Sequence, residues 1–436
     1  MSQALNWDSL LNTSRIRQND IGEYTCYLQP EPPPRTPAEA DIQRIIFSSP
    51  FRRLAGKTQV HPLAKIDYVH NRLTHSLEVA EIGASLAQSI AAKLSLSPER
   101  IHACALHVKA ACLGHDIGNP PYGHAGEFAI QSWVERHREE IKDLLVKDES
   151  SSETSSDQIL EDFLKFDGNA QAFRLLSQPS PNNDAYFRLS CASLGALIKY
   201  PWSASETPSS KFSCFTTARD CFSLVTRTLG LQTPTGTIRH PLSYITEIAD
   251  DICYCVTDCE DAVLMGMLDQ AHVRKWYLDL LSSRSKSTIL PTATLSFIRA
   301  TVIGDLMQCF TDELVVAFEH PETLINFEHT SPTWRRLKKL KQNYSVVFDD
   351  AEKLQKEVKA REEMYRVLDV FLSLLQSLRT AHVATYTSQL QQTPFDETFI
   401  ITNRHRPYHW WLHLILDYVT GMTDHYLHRF AQTLLS

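Results

Sequence analysis

Glycine is scarce in this chain and unevenly placed: only 14 of 436 residues are Gly, yet Gly114, Gly118, Gly123 and Gly126 fall within thirteen positions. Tight turns and close backbone approaches call for glycine, so its rarity elsewhere favours long regular elements. In those stretches apolar residues recur at three and four, which predicts an all-α fold. Met364, Val367, Leu368, Phe371, Leu374, Leu375 and Leu378 form one helical stripe, with Glu362, Glu363 and Arg366 on other faces. Val79, Ile82, Gly83 and Leu86 repeat the pattern after His75. Strand-like alternation is almost absent. The glycine cluster, with Pro120 and Pro121, breaks any helix and lets the backbone pass close to a bound group.

A hydrophobic content of 43% is enough for a sizeable core, and a formal net charge of −8 argues against a chain that coats nucleic acid non-specifically. Ten Cys without small-domain spacing, and no amino-terminal signal peptide, point to a reducing compartment and a cytoplasmic location. The richest apolar run, Trp410 to Val419, contains His413 and Asp417, so it reads as a buried helix and no membrane partner is expected. Three stretches, 30–37, 147–158 and 203–210, read as loops with little to bury. The basic run Arg335 to Lys341 reads as a solvated helix face. The competing reading is a phosphate-binding strip with Trp334 and Tyr344 as stacking neighbours for single-stranded nucleic acid.

Within the glycine cluster stand His115 and Asp116, an imidazole and a carboxylate suited to a divalent metal. Upstream, His75 shares a helix face with Glu78, and Arg72 lies one turn earlier. Downstream, Asp250, Tyr254 and Asp258 repeat at four along an otherwise apolar helix, where unpaired carboxylates would cost several kcal/mol. Each cluster alone fits a buried group satisfied by backbone. Jointly, His75, His115, Asp116 and Asp250 complete a site whose imidazoles favour Mn, Fe, Co, Ni or Zn over a purely hard ion. Arg72 and nearby Lys residues would neutralise a phosphate, and His124 and Glu127 would move protons. Cys253, Cys255 and Cys259 cannot converge from one helix and read as structural. His405, His409 and His413 repeat at four, either as a second metal site or as an interface face.

The order His75, His115–Asp116, Asp250 resembles the HD superfamily of metal-dependent phosphohydrolases. Longer strings resemble its dGTP triphosphohydrolase branch: Arg52-Arg53-Leu54 with Lys57-Thr58-Gln59-Val60, Arg72 to Ser76, His115 to Glu127, and Gly168 to Gln171. Leu197 to Pro201, His240-Pro241-Leu242, Asp250-Asp251-Ile252 with Tyr254, and Asp417-Tyr418-Val419 through Gly421 to Asp424 continue the match to the end of the chain.

The resemblance implies an HD-type helical core over 40–270, an amino-terminal extension over 1–39, and helices over 271–436 that contribute to a nucleotide pocket and subunit contacts. It implies that His75, His115, Asp116 and Asp250 hold a divalent metal, Mn²⁺ or Mg²⁺, and that His124 and Glu127 are catalytic. Arg72, Asn169, Lys199, Tyr200 and Lys211 would contact phosphates, and Gln59 with Asp258 the sugar 3′-hydroxyl. Tyr254 would pack under C2′ and select deoxyribose. The implied reaction releases a deoxynucleoside and tripolyphosphate from a deoxynucleoside triphosphate, dGTP first. Implied partners are further copies of the chain, as a hexamer or tetramer, with single-stranded DNA a possible regulator. Alternatives are a broad-specificity dNTP hydrolase and a nucleotide-binding regulator without turnover. The tail departs from the family by lacking an Arg shortly before Asp417, leaving Arg404 or Arg406 as a candidate base contact.

Overall fold

The computed structural model describes residues 4–434 except 20–22, 31, 33, 60–68, 149–153, 180–186, 208, 345–350, 381–389, 391 and 392, and gives backbone alone for 343, 344, 351 and 352. The fold is all-α apart from two small antiparallel hairpins among the described residues. In the first, β1 (Arg15–Gln18) pairs with β2 (Tyr24–Tyr27), Ile16 facing Cys26. Periodicity misses this hairpin because β1 buries two consecutive residues and exposes the next two. Buried Arg15 ties it to the first long helix, α1 (Pro37–Ile46), through an ion pair of 2.5 Å with Asp41.

Two antiparallel helices form the centre. Asn71 caps α2 (Arg72–Lys93) by accepting the Leu73 and Thr74 N–H groups, and Ser97 with Pro98 starts α3 (Pro98–Gly114). They cross closely at Gly83, where a Cβ would stand 2.6 Å from the Cys112 sulfur. Val79, Leu86 and Ile90 are fully buried, each side chain contributing about 1.5–3 kcal/mol. After the glycine cluster come α4 (His124–Arg136), α5 (Gly168–Ser177) and α6 (Cys191–Leu197). The second hairpin, β3 (Gln232–Thr233) with β4 (Gly236–Thr237), leads into α7 (Pro241–Leu264), which packs across both α2 and α3.

The chain continues through α8 (Leu295–Glu319), α9 (Pro332–Tyr344) and α10 (Ala351–Ser377), whose predicted stripe from Met364 to Leu378 is buried. It ends in α11 (Tyr408–Thr420) and α12 (Asp424–Thr433), the last packed on α10. One apolar cluster runs from Leu10 to Ala431, joining residues of the amino-terminal stretch to both ends of the remainder. The helix predicted over Trp410–Val419 is α11, and no helix among the described residues is long and apolar enough to cross a membrane.

Three expectations need correction. The stretch 203–210 is not empty of burial: Ser203 and Ala204 are buried, and a capping box with Glu206 closes a 3₁₀ turn over Ala204–Glu206. The stretch 147–158 ends inside a helix that starts at Ser156, while 149–153 lie outside the described residues. The basic run on α9 is solvated only in part, with Arg335 and Lys339 exposed. Lys341 pairs with Asp251 at 2.5 Å, Lys338 with Glu328 at 2.7 Å, and Arg336 donates to the Leu280 carbonyl at 2.7 Å.

Candidate functional site

Three helix segments bring one cluster together. His75 sits in the first turn of α2, His115 closes α3, and Asp250 lies midway along α7. One ligand atom from each lies within 4.8 Å of the others. His75 Nε2 is 2.9 Å from Asp250 Oδ1, and His115 Nε2 is 3.6 Å from the same oxygen. The His115 ring is oriented by its Nδ1, 2.6 Å from the Cys112 carbonyl, which leaves Nε2 buried and without a hydrogen-bond partner among the described residues. That arrangement suits a metal-ligating imidazole, whose second nitrogen donates to backbone and so fixes the tautomer.

Asp116 stands one step outside this group of three. Its Oδ1 is 3.6 Å from His115 Nε2 and accepts a hydrogen bond from Asn119, and Arg72 Nη1 lies 2.9 Å from Oδ2. Burial opposes the charged form of both carboxylates. The His75 hydrogen bond and the two imidazoles outweigh it for Asp250, and Arg72 with the imidazoles for Asp116, so both lie below the usual carboxylate range.

The opposite wall is built by α4 and the start of α5. Gly123 begins α4 at φ +56, and a Cβ there would stand 2.3 Å from the Arg72 guanidinium. Gly118 makes a still closer approach, a Cβ falling 2.1 Å from the Gly168 carbonyl oxygen at the start of α5. The glycines thus accommodate protein neighbours around the site. Glu127, one turn into α4, accepts the Gly168 N–H at 2.8 Å and faces Lys211 Nζ at 3.4 Å. Lys211 also lies 3.2 Å from Asp167, and these two carboxylates hold its pKa above the ordinary value despite burial. Loss of water around His124 pushes its pKa down, against the pull of Glu127, so the imidazole stays neutral near pH 7.

A third group comes from α7 and the segment after α6. Glu247 meets Lys199 at 3.0 Å and Arg239 at 2.6 Å, and despite burial these cations hold its pKa at about 2. Lys199 also stands over the Tyr200 ring, 5.6 Å from its centre.

Most of these groups surround a cavity of about 260 Å³. Gln59, Arg72, His75, His115, Asp116, His124, Glu127, Asn169, Lys199, Tyr200, Lys211, Asp250 and Tyr254 line it. Asp258, expected beside Gln59, does not: it is buried one turn beyond Tyr254, and both its oxygens and the Gln59 Oε1 lack hydrogen-bond partners among the described residues. Burial, with the charges of Asp261 and Asp250, raises its pKa well above the ordinary carboxylate value.

Other expectations fall on other places. Arg404 and Arg406 are exposed and line no part of the cavity, whereas Lys353 and Glu357, an ion pair of 2.8 Å on α10, do. Helical periodicity assigns those two only to a charged face; no spacing signals that the face closes a cavity. Asn119 and Glu247 also line it; Asn119 donates to Asp116 three residues before it, whereas Glu247 pairs with Lys199 from another segment. His413 is buried with Nε2 at 2.7 Å from the Thr217 hydroxyl and packs between Phe163 and Phe215, whereas His405 is exposed, so the 405–413 series does not converge. Trp334 is buried and donates to Asp251 at 2.9 Å, which removes it as a stacking surface for bases; the Tyr344 side chain lies outside the described residues. Cys253, Cys255 and Cys259 are buried in α7 as expected.

The HD domain matches residues 72–192. A deoxyguanosinetriphosphate triphosphohydrolase of Serratia proteamaculans is 30% identical over 89% of this chain and 91% of its own length. A deoxyguanosinetriphosphate triphosphohydrolase-like protein of Listeria innocua is 28% identical over 97% of both chains. One of the same description from Pseudomonas aeruginosa is 38% identical over 64% of this chain, a match that spans only 61% of the relative's length.

Proposed function

Since the chain belongs to the deoxyguanosinetriphosphate triphosphohydrolase family of HD-domain metal-dependent phosphohydrolases, we propose that it hydrolyses deoxynucleoside triphosphates, dGTP foremost, to deoxynucleoside and tripolyphosphate. The observation that carries this reading is the His75, His115 and Asp250 cluster at the base of the cavity, with the His115 Nε2 buried and unpartnered. These three, with Asp116 beside them, would hold Mn²⁺ or Mg²⁺. Bound there, the ion would supply Lewis-acid polarisation of a phosphoryl oxygen and a water of lowered pKa.

The remaining roles fall to the chain's own side chains. Arg72, Asn169, Lys199, Tyr200 and Lys211 bind the polyphosphate and neutralise about four negative charges. His124, neutral near pH 7, accepts a proton from the attacking water, which Glu127 orients, and the imidazolium so formed gives that proton to the departing sugar 5′-oxygen. Tyr254 packs under C2′, and Gln59 receives the 3′-hydroxyl, its buried Oε1, without a partner among the described residues, supplying the acceptor. The protein works as a homo-oligomer.

Phosphorus NMR of the products from Mn²⁺-loaded protein tests the bond of cleavage, with the four dNTPs and GTP run side by side. Tripolyphosphate from dGTP supports the proposal. Pyrophosphate with dGMP, or orthophosphate with dGDP, would overturn it, and equal rates on all four dNTPs would replace dGTP preference by broad specificity.

A further inference from the structure

Asp424 opens α12 and is buried, yet it lines neither the cavity nor the metal cluster. Its carboxylate serves two segments far apart in sequence. Oδ1 accepts the Tyr122 N–H at 3.0 Å, and Oδ2 accepts the Thr58 N–H at 2.9 Å together with the Thr58 hydroxyl. Both segments carry cavity groups. Tyr122 and Gly123 have φ of +62 and +56 and form the left-handed turn that launches α4, and so aims His124 and Glu127. A tyrosine in that conformation is strained and persists only where its surroundings hold it. Thr58 precedes Gln59 and bridges to Asn71, the cap of α2, while the Lys57 carbonyl accepts the Arg72 N–H at 3.2 Å. Gly56 approaches so closely that a Cβ would fall 2.6 Å from the Thr423 methyl, coupling the start of α12 to the 56–58 segment.

We propose that Asp424 is a positioning residue: from the carboxy-terminal helix it clamps the Tyr122–Gly123 turn to Thr58, fixing the proton-transfer pair His124 and Glu127 relative to the sugar-side Gln59. This rests on the reading of the cavity as a deoxynucleotide site. It also gives the Gly421–Asp424 string a task that no substrate contact provides.

Asp424→Asn tests the clamp in the full-length, Mn²⁺-loaded chain, because an asparagine has one acceptor oxygen and satisfies Tyr122 or Thr58 but not both. The expected result is a fall in kcat on dGTP of about ten- to a hundredfold per folded molecule, the scale of a small misplacement of reacting groups. Mn²⁺ affinity stays at the wild-type value, and the Tyr122 or Thr58 amide loses its protection from hydrogen exchange. Thr58→Ala is the second variant: it lowers kcat, whereas Thr58→Ser, which keeps the hydroxyl, restores it. An unchanged kcat, a loss no greater than the loss of folded protein, or full protection of both amides in Asp424→Asn overturns the proposal; so does wild-type kcat in Thr58→Ala. If wild-type protein hydrolyses no dNTP, the nucleotide reading fails instead, and exchange at the two amides still decides whether the clamp exists.

Discussion

Two buried polar clusters lie on either side of the glycine-rich turn, and they differ in how far their hydrogen-bonding capacity is met. At the base of the cavity, His75 Nδ1 and His115 Nε2 are buried without hydrogen-bond partners among the described residues. Where α11 and α12 meet the core, carboxylates are well supplied. Asp417 accepts from Gln171 at 2.9 Å and from Arg174 at 3.0 and 3.1 Å, and Asp424 accepts from Tyr122 and Thr58. Buried Lys57 completes this second cluster, donating to the Asn119 and Thr420 carbonyls at 2.6 Å each, while burial and two nearby arginines lower its pKa to about 7. Leaving buried polar groups unmet costs about 1–3 kcal/mol each, so a cluster that does so is shaped for something that binds. A cluster whose carboxylates and ammonium are satisfied holds architecture.

The contrast is broken most severely at the proposed metal centre. Asp250→Ala and His115→Ala are predicted to lower turnover at least about 10²–10³-fold, the scale of losing one preorganised electrostatic group, and to abolish Mn²⁺ binding by calorimetry. Chelation should stop the wild-type enzyme and added Mn²⁺ should restart it. A variant that binds Mn²⁺ at wild-type affinity would show that the cluster is not the site. In the satisfied cluster the large effect should be on stability instead. Arg174→Ala removes the cation paired with the buried Asp417 carboxylate and should cost about 3–5 kcal/mol in urea unfolding; a loss below about 1 kcal/mol would erase the distinction drawn here.

Between the two clusters sits the close approach of Gly118 to α5. Gly118→Ala should destabilise by about 1–3 kcal/mol, because the Gly168 carbonyl stands 2.1 Å from the new Cβ and is backbone that cannot swing aside. Unaltered thermal unfolding would mean that α5 shifts freely.

The smallest effect is expected at His70, where satisfied and unsatisfied groups adjoin. Its Nδ1 is 2.8 Å from Asp261 and its Nε2 3.2 Å from Glu78, partners that raise its pKa to about 10 against partial burial. A raised histidine pKa stabilises the fold fully below the unfolded value of 6.5 and ceases to do so as pH climbs through about 10. Wild-type stability should therefore drop more between pH 6 and pH 10 than that of His70→Asn. Parallel urea curves for the two proteins at both pH values would sink this assignment.

Much of the site could be read along the chain because its groups lie in short strings governed by local rules. His75 follows a capped helix start, His115 and Asp116 close a helix at a glycine break, and Asp250 and Tyr254 share a helix face four apart. The same rule of four carried Asp258 along with them, yet it lies outside the cavity, because a helix buried on all sides extends beyond the cavity it lines. The solvated reading of Arg335 to Lys341 holds for Arg335 and Lys339 but not for Lys341, for a related reason. A charge run is neutralised by whichever carboxylate packs against it, here Asp251, 90 residues away in sequence.

Helical periodicity and scarce glycine therefore determined the all-α class, since both depend on neighbours within one or two turns, while the ordered strings from Arg52 to Asp424 carried the resemblance to the family and, through it, most of the groups around the cavity. Tertiary structure alone decided that Asp116 stands beside the tight three-residue cluster, that Lys353 and Glu357 close the cavity while Arg404 and Arg406 do not, and that Asp424 ties Thr58 to Tyr122. Those outcomes depend on which distant helix fills a buried polar group's last hydrogen bond. No local pattern encodes that choice, because burial of the whole apolar core sets it.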